Sequence, residues 1–189
     1  MNPSYLAEAR RSFREYKMLA EGAFAQLRAE EWTRQIDPES NSVATIVKHM
    51  AGNMRSRWTD FLTSDGEKPD RNRDQEFILD AATTSQDIVG WWESGWNCVF
   101  TALDALREED LNRRVRIRGQ EYTVLEAVNR QVTHYAYHAG QIVFLVKHFR
   151  GAEWKSLTIP KGQSAALGAN MEAARRERWG NGNDRPSSS

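Results

Sequence analysis

The sequence predicts an all-α protein, a four-helix bundle with a long crossover between the second and third helices. Three observations support this class. Four long segments repeat apolar residues at steps of three and four, which is typical of one buried helix face. A charged, turn-rich segment separates the second helix from the third. A short stretch before the fourth alternates charged and β-branched residues, which predicts a short β-hairpin or an extended turn.

The first two helices each have a polar residue that suits an N-cap. The first begins near Ser4 and extends to about residue 28. Its apolar seam contains Leu6, Ala9, Phe13, Tyr16, Ala20, Ala23 and Leu27. The second is predicted over about residues 42–63, with Asn41 or Ser42 as its cap. Its main face carries Val43, Ile46, Met50, Met54, Arg57 and Phe61.

The crossover SDGEKPDRNRD, residues 64–74, is predicted to be long and exposed. The third helix is predicted from near Ser85 to about Leu106. The hairpin follows at RRVRIRGQEYT, where Arg114, Arg116 and Arg118 would fall on one side of a strand as an exposed face or an anion patch.

The fourth helix opens with a capping-box spacing between Thr123 and Glu126, and Gly151 is its predicted stop. We expect one domain over residues 1–170, because the segment 152–170 carries apolar anchors for an ordered wrap. These anchors are Trp154, Leu157 and Ile159. Residues 171–189 form a polar tail, which we expect to be partly disordered beyond a short helix.

Composition excludes several classes of protein. The 26 basic residues balance the 26 acidic residues, which argues against binding to nucleic acid or to a charged membrane surface. Cys98 is the only cysteine, so neither an intrachain disulfide nor a cysteine-based zinc site can form. A secretory signal and a long apolar run are both missing from the sequence, so we expect a cytoplasmic protein.

Three of the four histidines lie in one stretch, RQVTHYAYHAGQIVFLVKHF. His134 and His138 are four residues apart and therefore project from one side of a helix, as a pair of metal ligands or as two packed side chains. His49 is the candidate third ligand, although it lies roughly 120° from the apolar centre of its helix, which favours a surface histidine. His148 is about 15 Å along the axis from His138 and cannot join them.

The motifs IVKHMAGN on the second helix and HYAYHAGQIVFL on the fourth together resemble the DinB-like, or YfiT-like, superfamily of metalloenzymes. The resemblance extends to about Asn170 and is strongest to an uncharacterised branch, through HMAGNMRSRWTDFL, DGEKPDRNRD and WKSLTIPKGQS. It implies a DinB-like four-helix bundle with His49, His134 and His138 as ligands of a divalent metal, typically nickel or zinc. It also implies a homodimer.

Relatives in that superfamily include thiol-dependent S-transferases and a thiol-dependent isomerase. The resemblance therefore implies a small-molecule thiol partner such as bacillithiol, mycothiol or glutathione. An open position on an ion held by three neutral histidines would make a bound water or thiol more acidic. Cys98 lies mid-helix among apolar residues, and its interpretation as a buried small side chain is favoured over a reactive thiol.

Further candidates have two interpretations each. Asn53 and Gln141 could orient a metal ligand or substrate, or could simply bond to neighbouring helices. Arg55 and Arg57 could bind an anionic substrate, although a solvated face or an ion pair is favoured. Trp58 could line a pocket or belong to the core. Tyr135 and Tyr137 diverge on the helix, so at most one approaches the metal, and packing is the favoured role of both.

From these patterns we expect a divalent-metal-binding protein that acts on a small molecule. The leading class is a metal-dependent transferase of the thiol S-transferase type, with a hydrolase as another enzyme class. The alternative is a non-catalytic dimeric bundle that binds a metal or a ligand. The sequence identifies no catalytic residue beyond the ligands.

Overall fold

The computed structural model describes residues 4–163, which contain four α-helices and one small antiparallel sheet. In chain order the elements are α1 (Tyr5–Phe24), α2 (Val43–Trp58), α3 (Ser85–Ala105), β1 (Arg114–Ile117), β2 (Gln120–Thr123) and α4 (Val124–Arg150). None of the helices in this part of the chain has the length and apolarity needed to cross a membrane. The predicted tail 171–189 and the predicted wrap beyond residue 163 lie outside the described residues.

Local side-chain caps explain where the helices begin. The hydroxyl groups of Ser4 and Ser42 accept hydrogen bonds from the first turns of α1 and α2. Thr123 and Glu126 form the predicted capping box at the start of α4. Gly151 adopts φ 53° directly after α4, a backbone conformation that glycine tolerates and most residues avoid. The predicted boundaries of α4 are therefore confirmed.

An aromatic cluster joins all four helices at the centre of the core. Phe13, Trp58, Trp96 and Tyr135 come from α1, α2, α3 and α4 in turn. Ring centroids lie 5.7 Å apart for Phe13 and Trp58, and 5.6 Å apart for Trp96 and Tyr135. Trp58 Nε1 also donates a hydrogen bond of 3.0 Å to the Tyr135 hydroxyl. This bond fixes α2 against α4, the two helices that carry the histidines of interest.

The second helix ends at Trp58, five residues earlier than predicted. Thr59 adopts an extended backbone conformation, and Asp60 has a positive φ of 48°, so the helix cannot continue. The apolar spacing persists because Phe61 packs on Trp58 from outside the helix, with ring centroids 5.0 Å apart. The apolar spacing of this segment therefore indicates which residues pack together, and it does not indicate where the helix ends.

The crossover is not simply exposed, which corrects the prediction for this segment. Ser56 donates a 2.8 Å hydrogen bond to the carbonyl of Gly66, and the Gly66 N–H donates to the carbonyl of Arg116 at 2.7 Å. A short 3₁₀ turn, Asp74–Phe77, then packs on α2 and buries Glu76. The crossover therefore joins α2 to the hairpin and covers one side of α2.

The hairpin contains a two-residue turn in which Arg118 and Gly119 both have positive φ, 57° and 74°. Asp65 of the crossover accepts hydrogen bonds of 2.8 Å from the backbone N–H groups of both residues. Arg114 and Arg116 lie on β1 as predicted, but Arg118 does not share their strand face. The turn places Arg118 beside the crossover instead.

The segment after α4 returns along α1. Trp154 and Leu157 pack against the core, as predicted for two of the three anchors. The side chain of Gln26 accepts from the backbone N–H of Lys155 and donates to its carbonyl. Ile159 is 40% exposed, so its predicted role as an anchor is wrong.

Gly95 marks the closest approach between α2 and α3. A Cβ added there would lie 2.9 Å from Met54 Sδ and 3.1 Å from the Cα of Ala51. Met54 is fully buried, so its side chain has no space into which to move. On the same helix, Gly90 has no atom within 4 Å of an added Cβ.

We therefore expect Gly95→Ala to be less stable than Gly90→Ala by about 1–3 kcal/mol, because only the former overpacks the helix contact. Gly90→Ala should stabilise the protein by about 0.5–1 kcal/mol through helix propensity. Urea unfolding of both variants and the native protein measures the difference. Equal midpoints for the two variants would contradict this account of the α2–α3 contact.

Candidate metal centre

Three histidines from two helices converge on one point. His134 and His138 lie one turn apart on α4, and His49 faces them from α2. One ring nitrogen from each of the three lies within 4.8 Å of the others. The Nε2 atoms of His134 and His138 are 3.1 Å apart. Two nitrogens at that separation, each about 2.1 Å from a shared ion, would subtend about 95° at it.

His49 is buried, with only 5% of its surface exposed. The expectation of a surface histidine is therefore wrong. The ring of Phe77 stacks on His49 with centroids 4.9 Å apart, and Glu76 lies against its Nδ1. Both residues belong to the 3₁₀ turn Asp74–Phe77 at the end of the crossover. The apolar pattern of α2 gives no information about where this turn packs.

In His49 and in His138, a hydrogen bond at Nδ1 leaves Nε2 as the nitrogen that is free to bind a metal. His49 Nδ1 lies 2.9 Å from Glu76 Oε2, and a carboxylate can only accept, so Nδ1 carries the proton. His138 Nδ1 lies 2.7 Å from Gln141 Oε1, and the Gln141 amide nitrogen donates to the Tyr137 hydroxyl. Each Nε2 lone pair is then available to a metal, as with metal-ligating histidines in general.

Burial keeps these groups in the protonation state that metal binding requires. It lowers the pKa of His134 to about 3, with the neighbouring His138 adding to the effect. It also lowers the pKa of His138 to about 4, although the bond to Gln141 opposes that change. Burial raises the pKa of Glu76, but the hydrogen bonds from His49 and Arg71 outweigh it and the pKa is lowered. At neutral pH His134 and His138 are therefore neutral imidazoles, and Glu76 is a charged carboxylate.

Asn53 lies one turn after His49 and is oriented by the core. Because the indole of Trp58 can only donate, the Tyr135 hydroxyl accepts from it and donates onward to Asn53 Oδ1 at 3.1 Å. The Asn53 oxygen is thus engaged, and its NH₂ group remains as the donor at the wall of the cavity beside the histidines. The interpretation of Asn53 as a side chain that bonds to a neighbouring helix is therefore confirmed, and its orienting role toward a metal ligand or substrate stays a prediction.

The other predicted residues divide between the cavity and the core. Arg57 lines the cavity, but its side chain is 4% exposed and bonds to Glu67 at 2.9 Å and to the carbonyl of Gly66. The ion-pair interpretation of Arg57 is confirmed. Trp58 is a core residue, and it does not line this cavity. Arg55 is exposed and borders a different cavity.

Cys98 is half-buried on α3 and lines another cavity with Trp58, apart from the histidines. Tyr135 is fully buried, as its predicted packing role requires. Tyr137 is 62% exposed, and its ring centroid lies 4.9 Å from that of His138, so its predicted packing role is wrong. Within residues 4–163, His148 does not belong to the group of histidines that could share a metal.

Three contributors to the site, Glu76, Arg71 and Phe77, were not predicted from the sequence. Glu76 accepts from Arg71 Nε at 2.8 Å, and both side chains are at least 90% buried although they belong to a charged, turn-rich segment. Such a segment has no periodicity from which burial can be predicted. The chemistry of metal sites does predict a partner of this kind, because a metal-ligating histidine usually donates a hydrogen bond from its other ring nitrogen to a carboxylate or carbonyl.

Comparisons with known proteins give a family but no activity. Residues 1–163 match the family described as Protein of unknown function (DUF1572). No curated protein matches the chain.

The lowered histidine pKa values predict how stability depends on pH in the metal-free protein. As pH falls below the ordinary value of 6.5, the unfolded state binds protons that the folded state excludes until about pH 4 for His138 and about pH 3 for His134. Stability is therefore lost as pH falls through that window. We expect the urea midpoint of the native protein to decrease between pH 7 and pH 5.

A double variant, His134→Gln with His138→Gln, should show a smaller decrease over the same pH range, whereas His148→Gln should retain the native decrease. The range ends at pH 5 because Glu76 contributes its own loss of stability only as pH falls through and below its ordinary value of 4.5. An identical decrease in the double variant and the native protein would contradict the assignment.

Proposed function

The chain belongs to this family of unknown function, and we propose that it binds one divalent metal ion through His49, His134 and His138. The observation that carries the proposal is the convergence of three imidazoles whose Nδ1 partners, where present, direct Nε2 toward a common point. The donor set fits a transition metal with open positions, because three histidines leave further coordination sites to water or substrate. Nickel and zinc both suit imidazole ligands.

We further propose that the four helices form a DinB-like bundle in one domain over residues 1–170. The resemblance of the two histidine motifs to that superfamily supports this, as does the pairing of α1 with α4 and of α2 with α3. The aromatic cluster that joins all four helices supports it as well.

The reaction we propose is metal-dependent transfer of a small-molecule thiol to an electrophilic substrate. A bound divalent ion would supply Lewis acidity, which favours the thiolate form of a thiol. The protein residues exclude water and orient the reactants: the Phe77 ring covers His49, and the NH₂ group of Asn53 is positioned to donate a hydrogen bond to a reactant. Cys98 borders another cavity, so the thiol would come from a small molecule.

Metal content of purified protein tests the ligand set. After loading with nickel or zinc and extensive dialysis, we expect about one ion per chain by elemental analysis, and loss of that ion in His49→Ala and His138→Ala. His148→Ala is the matched control and should retain the ion. No bound metal in the native protein, or equal content in all the variants, would refute the proposed centre.

Catalysis is tested by incubating loaded protein with glutathione or another low-molecular-weight thiol and an activated aryl halide. The expected reaction forms a carbon–sulfur bond and releases halide, and it should require both metal and His138. Metal binding without any thiol consumption would favour the non-catalytic alternative.

Glu76 should tune the metal affinity without touching the ion. We expect Glu76→Gln to weaken binding by about 10–100-fold, since the neutral amide makes His49 a less basic ligand and orients it less firmly. Competition with a chromogenic chelator measures the affinity. Glu153→Gln, at an exposed carboxylate, is the control and should bind like the native protein. Equal affinities in both variants would mean that Glu76 serves the fold alone.

A further inference from the structure

A cavity of about 610 Å³ opens beside the histidines, and its wall is unusually basic. Its lining includes His49 and His134, and the volume is typical of small-molecule sites. Five arginines line it: Arg57, Arg71, Arg73, Arg118 and Arg130. Among the described residues, no aspartate or glutamate lines this cavity. The carboxylates of the region lie behind the arginines.

The carboxylates do not balance the arginines. Glu67 pairs with Arg57 at 2.9 Å and Arg118 at 3.0 Å, and it reaches Arg71 at 3.4 Å. Glu76 provides the closer partner of Arg71. Five guanidinium groups against these two carboxylates leave an excess of three positive charges. Counting the nearby Asp65, which is engaged by the backbone of the hairpin turn, still leaves two.

Two of the five cavity arginines, Arg73 and Arg130, have no carboxylate partner within residues 4–163. Arg73 belongs to the crossover, and its guanidinium lies 5.3 Å from the centroid of the Phe77 ring. Arg130 lies on α4, one turn before His134, and is close enough to contribute to the lowered pKa of that histidine. The crossover and α4 therefore each place at the cavity one arginine that has no carboxylate partner.

Buried polar atoms in the same wall also have no partner. Arg57 Nε and Gln131 Oε1 make no hydrogen bond, although the residues are only 4% and 3% exposed. Buried groups of this kind are costly to leave unpaired, and native proteins contain few of them. The protein's own groups therefore leave this part of the wall incompletely hydrogen-bonded.

We propose that this cavity binds a small organic anion carrying at least two anionic groups, carboxylate or phosphate, with Arg73 and Arg130 as its principal contacts. Guanidinium groups match both kinds of oxyanion through paired N–H donors. The inference deepens the proposed function and rests on it in one respect: the anion is the substrate or thiol whose reacting atom reaches the histidines.

Calorimetric titration of the metal-free full-length chain tests the anion site by itself. The probes are pyrophosphate and tricarballylate, with glycerol as the uncharged control, at low ionic strength. We expect at least one anion to bind with a Kd below about 1 mM, and to bind more weakly as salt increases. The anion that binds more tightly identifies phosphate or carboxylate as the preferred group.

Variants locate the binding. Arg73→Gln and Arg130→Gln should each weaken it about tenfold, corresponding to the loss of one charged hydrogen-bonding partner. Both side chains are exposed, so neither change removes core packing. Arg55→Gln is the matched control, because Arg55 is an exposed arginine of α2 that borders a different cavity. It should change the affinity less than twofold.

If neither anion binds with a Kd below about 1 mM, or if Arg55→Gln loses as much affinity as the two cavity variants, the inference is overturned. Its failure is distinct from failure of the metal centre. The titration uses metal-free protein, so its result does not depend on the outcome of the elemental analysis. Conversely, stoichiometric metal in a chain that binds neither probe would leave the centre standing and remove the anion site.

Discussion

The rest of the site depends on the hydrogen bonds that the buried carboxylate of Glu76 accepts. This carboxylate accepts hydrogen bonds from His49 Nδ1 and from two nitrogens of Arg71, at 2.8–2.9 Å. One contact decides which nitrogen His49 leaves free, and the other fixes the crossover on α2. Neither charged partner is stable alone in this environment, because a buried ion without its counter-ion costs several kcal/mol. The fold of the crossover and the chemistry of His49 are therefore determined together.

The same reasoning explains how a chain of zero net charge contains a basic cavity. Arg57 and Arg71 are almost fully buried, and their ion pairs with Glu67 and Glu76 face away from the cavity. Buried ion pairs stabilise a fold little, since desolvation offsets the attraction between the charges. Their effect here is to fix an arrangement in which guanidinium groups line the cavity wall. Total composition argues against a polyanionic macromolecule as partner, but it averages over this local asymmetry.

Structural features that depend on neighbouring residues could be predicted from the sequence. The starts of α1 and α4 follow from Ser4 and from the Thr123–Glu126 capping box, which act within one turn. The pairing of His134 with His138 likewise needs only the helical repeat. Features that depend on contacts between distant segments could not be predicted. Phe61 continues the pattern of α2 from outside the helix. His49 is buried by a segment with no periodicity, and Glu76 was not identified for the same reason.

The arrangement also determines how a molecule reaches the histidines. On the crossover side, the Phe77 ring and Glu76 cover His49. On α4 itself, Gln141 bonds to both His138 and Tyr137. The cavity that borders His49 and His134 is the one that the arginines line. Under the proposed function, a reactant that enters through this cavity would meet the positive potential before the imidazole nitrogens, so selection for charge would precede any chemistry at the centre. The arginines would then decide which molecules arrive, and the histidines would decide how those molecules react.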